Sequence, residues 1–216
     1  MPKKRREPSR ADSSRAPARN QRDIAAAEEH VRGILSYIGE DVEREGLLET
    51  PARVVRAYGE HFAGYSSDPG QYLAKTFQEV EGYDEIVLVS DIELYSHCEH
   101  HMVPFVGWAH VAYLPDGRVV GLSKLARVVD VYAKRLQVQE KLTKQIADAI
   151  QVHLKPQAVA VVLQCQHFCM CYRGVKKPGS WTTTSKLHGL FLKDAAARME
   201  LLTLIGLKRQ IGGRGE

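Results

Sequence analysis

Apolar residues recur at steps of three and four along five stretches of the chain, a spacing that places them on one face of a helix. Gly39, Gly64 and Pro156 follow three of these stretches and are predicted to end them. Thr50 and Ser123 are predicted to cap the N-termini of the second and third stretches. The predicted helices cover residues 23–38, 50–62, 123–132, 138–154 and 193–205.

Stretches rich in β-branched residues lie between the helices and predict strands. The sequence Pro-Asp-Gly-Arg at residues 115–118 is typical of a hairpin turn, so the strand before it is expected to pair with residues 119–121. The order of elements indicates an α+β fold with an antiparallel sheet that helices cover on one face. The predicted strands cover residues 86–95, 105–114, 119–121, 159–173 and 181–184.

The stretch from Val159 to Arg173 is predicted to be one continuous strand. Successive side chains of a strand point to opposite faces, so His167, Cys169 and Arg173 are expected to share a face. The pattern therefore predicts that these three side chains project toward one site.

The composition is that of a globular protein, with 44% hydrophobic and 26% charged residues among 216. Residues 1–22 hold eight Lys or Arg and two acidic residues, Glu7 and Asp12. The excess of positive charge in this segment is larger than the net charge of the whole chain, which is +4. The remainder is therefore slightly acidic, and no nucleic-acid partner is expected. No run of eighteen apolar residues and no signal-peptide pattern occurs, so we expect a cytoplasmic protein without membrane contact.

Clustered cysteines and histidines in a reduced chain indicate a metal site. Cys98 and His101 have the C-x-x-H spacing with which two side chains of one turn bind a single metal. One further ligand, from Cys165, Cys169 or Cys171, would complete a three-ligand zinc site with an open position for catalysis. Spacing alone does not choose among the three. If two of them joined Cys98 and His101, the metal would have four protein ligands and the site would be a closed structural one.

Two further imidazoles, His100 and His167, lie next to the proposed ligands in sequence. The ordinary pKa of histidine suits proton transfer near neutral pH, although either residue could instead support a ligand. Glu140 opens a predicted helix beside Gln139, and a partly buried carboxylate there could accept hydrogen bonds from the N1–H and amino group of guanine.

Cations near predicted helix N-termini favour an anionic substrate. Arg53 and Arg56 share a helix face because they lie three residues apart. Together with four further residues they could bind a polyphosphate, although each alone would be a solvated side chain. The other four are Ser123, Lys124, Arg127 and Arg173.

Six motifs occur in order along the chain: Glu43-Arg44-Glu45-Gly46-Leu47, Thr50-Pro51-x-Arg53-Val54, Cys98-Glu99-His100-His101, Gly121-Leu122-Ser123-Lys124-Leu125-x-Arg127, Gln137-Val138-Gln139-Glu140-Lys141-Leu142-Thr143 and His167-x-Cys169-Met170-x-x-Arg173-Gly174. Over about residues 24–206 the chain thereby resembles type I GTP cyclohydrolase. Two features depart from the family: the tail before Asp23 matches no motif, and Trp181 stands where the family usually has a smaller residue.

The resemblance implies a tunnelling fold and a homodecamer of two face-to-face pentamers with active sites at subunit interfaces. It also implies a zinc ion bound by Cys98, His101 and Cys169, with His100 and His167 as catalytic residues. The basic tail at 1–22 is expected to be disordered, because it has almost no apolar residues with which to form a core. The remaining boundaries are an N-terminal helical region at 23–65, a catalytic domain at 66–207 and a C-terminal tail at 208–216.

The resemblance further implies that GTP and water give 7,8-dihydroneopterin triphosphate and formate, the first step of tetrahydrofolate and pterin biosynthesis. Zinc-activated water would attack guanine C8, His167 would protonate the ring nitrogen, and His100 would assist ring opening. Glu140, with Gln139 beside it, would bind guanine. The implied triphosphate set is Ser123, Lys124, Arg127, Arg173, Arg53 and Arg56.

Two other functions fit parts of the sequence. A related tunnelling-fold enzyme could act on another pterin or a deazapurine, but such relatives tend to lack the complete zinc and histidine set. A structural zinc module could bind nucleic acid through its basic tail, and it would have a closed four-ligand zinc and no turnover. The slightly acidic remainder of the chain argues against the second reading.

Overall fold

The computed structural model describes residues 20–78 and 82–211. The predicted basic tail therefore lies outside the described residues except at positions 20–22, and so does the end of the C-terminal tail. The helices are α1 Gln21–Tyr37, α2 Thr50–His61, α3 Pro69–Leu73, α4 Leu122–Ala133, α5 Gln139–Leu154, α6 Phe168–Cys171, α7 Leu190–Lys193 and α8 Ala195–Ile211. The strands are β1 Thr76–Phe77, β2 Val87–Cys98, β3 Pro104–Leu114, β4 Val119–Val120, β5 Leu136–Gln137, β6 Ala158–His167 and β7 Thr182–Gly189.

Five strands form one sheet in the order β5-β2-β3-β6-β7. Its neighbours are antiparallel except for β2 and β5, which run parallel. Helices α4 and α5 contribute the apolar faces that cover one side of the sheet, including Leu125 and Ile146, both fully buried. The predicted α+β fold with an antiparallel sheet is confirmed.

The second face of the sheet is also covered at one end, which the sequence did not predict. Ala112 and Ala160 point away from the main core because they alternate with Val111 and Val161. They pack in a separate cluster that includes Phe191 of α7 and Leu201 of α8. In addition to the predicted cover on one face, this cluster covers part of the second face at that end of the sheet.

The predicted hairpin after β3 does not form. Gly117 adopts a positive φ of 68° in the turn, as the sequence suggests, but β4 pairs with β1 rather than with β3. The Tyr113 hydroxyl accepts a hydrogen bond from the Val120 amide at 3.1 Å, which holds β4 against the end of β3. The strands that pair along the length of β3 are instead β2 and β6.

The predicted strand over residues 159–173 ends at His167, where the chain turns into α6. Phe105 is the last β3 residue that pairs with β6, and the preceding Pro104 has no N–H with which to extend the ladder. On the other side, β7 pairs with β6 no further than Cys165. The chain therefore leaves the sheet after His167. The strand alternation that was used to predict the directions of Cys169 and Arg173 does not apply to them.

Two predicted caps and one predicted helix also differ from the structure. Thr50 lies inside α2, whose N-cap is Glu49, and α4 has Gly121 as its N-cap with Ser123 in the first turn. The predicted final helix corresponds to α8, which extends beyond the predicted end, and a short separate helix, α7, precedes it. Asp194 lies between the two, and its side chain accepts a hydrogen bond from the Ala197 amide at 2.9 Å. Among the described residues, no helix has the length and apolar character needed to span a membrane.

Candidate metal centre and active site

A tight turn at the end of β2 carries Cys98, His100 and His101. The Cys98 amide donates to Val103 O at 2.9 Å, and the Met102 amide donates back to Cys98 O at 2.8 Å. Met102 closes this turn with a positive φ of 53°. As a result Cys98 is buried at the end of the strand, whereas His100 and His101 are exposed in the turn.

Three side chains converge in a geometry suited to a metal ion. The ligand atoms of Cys98, His101 and Cys169 all lie within 4.8 Å of one another. Cys98 Sγ is 3.8 Å from His101 Nδ1, and it is 3.7 Å from His100 Nδ1. Two thiolates and one imidazole form a donor set that fits Zn²⁺, and three protein ligands leave a fourth position open.

The helical turn α6 gives Cys165, Cys169 and Cys171 different surroundings, because Cys165 lies in β6 and the other two lie in α6. Cys169 reaches the metal group, whereas Cys171 donates its thiol proton to His167 O at 3.1 Å. Cys165 lies fully buried in the core, where desolvation raises the pKa of its thiol to about 12. Burial, with the nearby Cys98, also raises the pKa of Cys169, whereas Arg173 lowers it.

A cavity of about 190 Å³ opens beside the metal group. It joins the metal group to the start of α5 and to the beginning of β7, so residues from four distant segments of the chain face one small volume. Its lining comprises Cys98, His100, His101, Gln137, Val138, Gln139, Glu140, His167, Cys169, Met170 and Thr182.

His167 is held from two sides at the edge of this cavity. Its ring stacks on Phe105 with the centroids 4.6 Å apart and the planes 11° from parallel. Its Nε2 lies 2.8 Å from Gln139 Oε1. Burial lowers the pKa of His167, because desolvation disfavours the imidazolium, and the negative charge of Glu140 acts in the opposite direction.

Gln139 and Glu140 are adjacent in sequence but face different surroundings. Glu140 is exposed and lines the cavity, as expected of a residue that contacts a ligand. Gln139 is 1% exposed, and its amide nitrogen donates to Thr182 O at 3.0 Å and to Thr184 Oγ1 at 3.1 Å. The side chain predicted to bind substrate is thus engaged by the protein.

The predicted phosphate-binding residues fall into two groups. Arg173 lies beside the metal group, with Nη1 at 3.5 Å from His101 Nε2. Arg127 lies over the ring of Tyr72 and lines a different cavity, and Arg53 pairs with Glu49 at 2.5 Å. Of the described residues that line the metal cavity, none belongs to α2 or α4, so one chain does not bring Ser123, Lys124, Arg127, Arg53 and Arg56 to it.

Several residues at the site were not found from the sequence. Phe105 faces His167 across the β3–β6 ladder, and Thr182 lines the cavity from β7. Glu99 in the metal turn accepts a hydrogen bond from Lys141 at 2.7 Å, which lowers the pKa of Glu99 and ties the turn to α5. Their positions depend on strand register and helix packing, for which the sequence carries no local signal.

Comparison with known proteins identifies relatives over most of the chain. The family model for GTP cyclohydrolase I matches residues 27–206. GTP cyclohydrolase 1 of Brucella abortus (strain S19) is 58% identical over 181 residues, which are 84% of this chain and 85% of the relative. The Brucella canis protein of the same name is 57% identical over the same shares. An apo structure of archaeosine synthase QueF-Like aligns with a TM-score of 0.41 at 18% identity, covering 48% of this chain and 93% of that one.

Proposed function

Because this chain belongs to the GTP cyclohydrolase I family, we propose that it hydrolyses GTP and rearranges it to 7,8-dihydroneopterin triphosphate with release of formate. This reaction would be the first step of tetrahydrofolate and pterin biosynthesis, in the cytoplasm. The observation that carries the proposal is the cavity in which a Cys-His-Cys group, two further histidines and one exposed carboxylate face each other.

The proposed metal is zinc, bound by Cys98, His101 and Cys169. The donor set of two sulfurs and one nitrogen supports this assignment, since soft thiolates with imidazole favour zinc over magnesium or calcium. When bound, zinc supplies activated water for attack on guanine C8. Burial and the neighbouring Cys98 raise the pKa of Cys169, and the positive charge of Arg173 offsets part of this rise in favour of the thiolate.

Glu140 is proposed to orient the guanine ring. Its carboxylate is exposed to the cavity and can accept from both the N1–H and the exocyclic amino group of the base. His100 and His167 line the same cavity as Glu140. A base bound by Glu140 is therefore held close to both residues that are proposed to transfer protons.

The two histidines are proposed to move protons during ring opening. His167 would protonate the ring nitrogen next to C8, which makes that carbon more electrophilic, and His100 would assist ring opening and formate release. The stacking of His167 on Phe105 fixes its ring plane, so little reorganisation is needed when the base binds.

The triphosphate is proposed to bind between two copies of the chain. Arg173 can contact it from the same chain as the metal group, which it approaches to 3.5 Å at His101. Arg127, Ser123 and Lys124 on α4 lie away from that cavity, as do the arginines of α2. All of them are exposed except Lys124, which is half-buried. A homodecamer of face-to-face pentamers, in which an adjoining subunit supplies these cations, accounts for the separation.

Product analysis with and without a zinc chelator tests the proposal. Purified protein is incubated with GTP, and pterin fluorescence after oxidation is measured together with formate. We expect both products in equal amounts and their loss on chelation. No product from a zinc-replete, decameric preparation would refute the proposed reaction and favour a relative that acts on another pterin or a deazapurine.

A further inference from the structure

A buried network of hydrogen bonds surrounds the side chain of Gln139. The Thr143 hydroxyl lies 2.7 Å from the Gln139 backbone oxygen and 2.6 Å from Thr184 Oγ1. The Gln139 amide nitrogen lies within hydrogen-bond distance of three acceptors: Thr184 Oγ1 at 3.1 Å, Thr182 O at 3.0 Å and Leu163 O at 3.3 Å. Gln139 and Thr143 are each 1% exposed, so the protein itself must satisfy these groups.

Counting donors in this network determines the direction of each bond. The single proton of the Thr143 hydroxyl is committed to the Gln139 backbone oxygen, which can only accept. The Thr184 hydroxyl must then donate to Thr143, which leaves Thr184 Oγ1 to accept from the Gln139 amide nitrogen. Both protons of that nitrogen are therefore used on the side away from His167.

The opposite orientation of the amide is disfavoured by the backbone. Turning the Gln139 amide over would place Oε1 against the carbonyl oxygens of Leu163 and Thr182, where acceptors would face one another. Oε1 therefore faces His167 Nε2 at 2.8 Å, and because Oε1 can only accept, the proton of this bond belongs to the imidazole.

We propose that Gln139 is a positioning residue, which holds the neutral imidazole of His167 as the Nε2–H tautomer and leaves Nδ1 as the nitrogen that exchanges a proton with the substrate. The inference rests on the proposed function for its catalytic consequence and replaces the predicted role of the Gln139 side chain in binding guanine. Phe105 fixes the plane of the ring by stacking, and Gln139 fixes which of its nitrogens carries the proton.

A substitution at Gln139 separates this role from a structural one. Gln139→Met keeps a similar volume but cannot accept a normal hydrogen bond from His167. His188→Ala is the matched control, since His188 Nε2 lies 2.9 Å from Asp148 Oδ1 and joins the same elements, α5 and β7, away from the cavity. Both Gln139→Met and His188→Ala are expected to lower the thermal midpoint.

Steady-state kinetics with GTP on the zinc-loaded proteins measure the catalytic consequence. For Gln139→Met we expect kcat to fall by about 10- to 100-fold with KM within about twofold, the usual range for removing a residue that orients a catalytic histidine. His188→Ala should keep both constants. Unchanged kcat in Gln139→Met, or an equal loss in His188→Ala, would overturn the inference, and a rise in KM alone would return Gln139 to substrate binding.

Nuclear magnetic resonance of ¹⁵N-histidine-labelled protein tests the tautomer without any turnover. His167→Gln identifies the signals of His167, which are recorded at pH 8.5, about two units above the ordinary pKa of histidine. We expect the Nε2–H form in the unsubstituted protein and a mixture of tautomers in Gln139→Met. An Nδ1–H form would overturn the inference, even if the protein released no formate from GTP and the proposed function itself had failed.

Discussion

Replacing Glu140 with glutamine changes the proposed guanine contact at nearly constant shape. The carboxylate can accept two hydrogen bonds from the base, whereas the amide offers one acceptor and turns an N–H toward a donor of guanine. A hydrogen bond to a charged group contributes about 1.5–3 kcal/mol, and the exposure of Glu140 in the single chain places the loss at the lower end. We therefore expect KM for GTP to rise about tenfold, since about 1.4 kcal/mol corresponds to a factor of ten.

Removing the Glu140 charge should also change the pH dependence of kcat. That charge raises the pKa of His167 against the effect of burial, so its loss lowers the pKa further. If protonated His167 is the acid, activity falls as the pH rises through its pKa. The descending limb of kcat should therefore move to lower pH in Glu140→Gln.

The assay is steady-state formate release over a range of GTP concentrations and pH, with zinc content measured on the same preparations. Glu99→Gln is the matched control, because Glu99 is a carboxylate close to the site that pairs with Lys141 instead of lining the cavity. We expect full zinc content in both variants and KM within about twofold for the control. An unchanged KM in Glu140→Gln would refute the proposed recognition of guanine.

Three further predictions concern the metal and the stability of the fold. Cys98→Ser should lose bound zinc and formate release together, and turnover by a zinc-free preparation of that variant would contradict a catalytic metal. Burial raises the pKa of Asp148, but hydrogen bonds from Lys144 and His188 together outweigh burial and lower it. The stabilising effect of Asp148 is therefore present above the unfolded pKa near 4 and is lost as the pH falls through the folded value. Asp148→Asn should therefore lower the urea midpoint at pH 7 and have less effect at pH 3, and an equal loss at both would argue against the ionised form. Trp181 stacks on Trp108 at 5.1 Å and 15°, so Trp181→Ala should cost at least about 1 kcal/mol of unfolding free energy by urea titration, and no loss would show that the pair does not stabilise β7.

Local patterns in the sequence determined most of the helices and the type of fold. The three- and four-residue period located α1, α2 and α5 within a few residues, because the neighbours that define an amphipathic helix lie within one or two turns of each other. The strand predicted before Pro115, over residues 105–114, likewise matches β3. Family membership was predicted from ordered motifs and is confirmed by the match over residues 27–206.

The site was only partly accessible from sequence. The spacing of Cys98 and His101 predicted that one turn presents both, and the structure brings them together with Cys169. The choice among Cys165, Cys169 and Cys171 followed from the family resemblance. The strand pattern could not make that choice, because it placed all three on one face. The roles of these residues stay predictions until the metal and activity assays are made.

Only the tertiary structure decided where β6 ends and what Gln139 contacts. The strand stops at His167 because β3 begins at Pro104 and β7 pairs no further than Cys165, and these limits come from segments far away in sequence. The Gln139 amide is oriented by acceptors on β6 and β7, again through register. A periodic pattern reports which face of an element is apolar, but the partner of each polar atom is determined by how distant elements align, because a hydrogen bond forms only when donor and acceptor are about 3 Å apart.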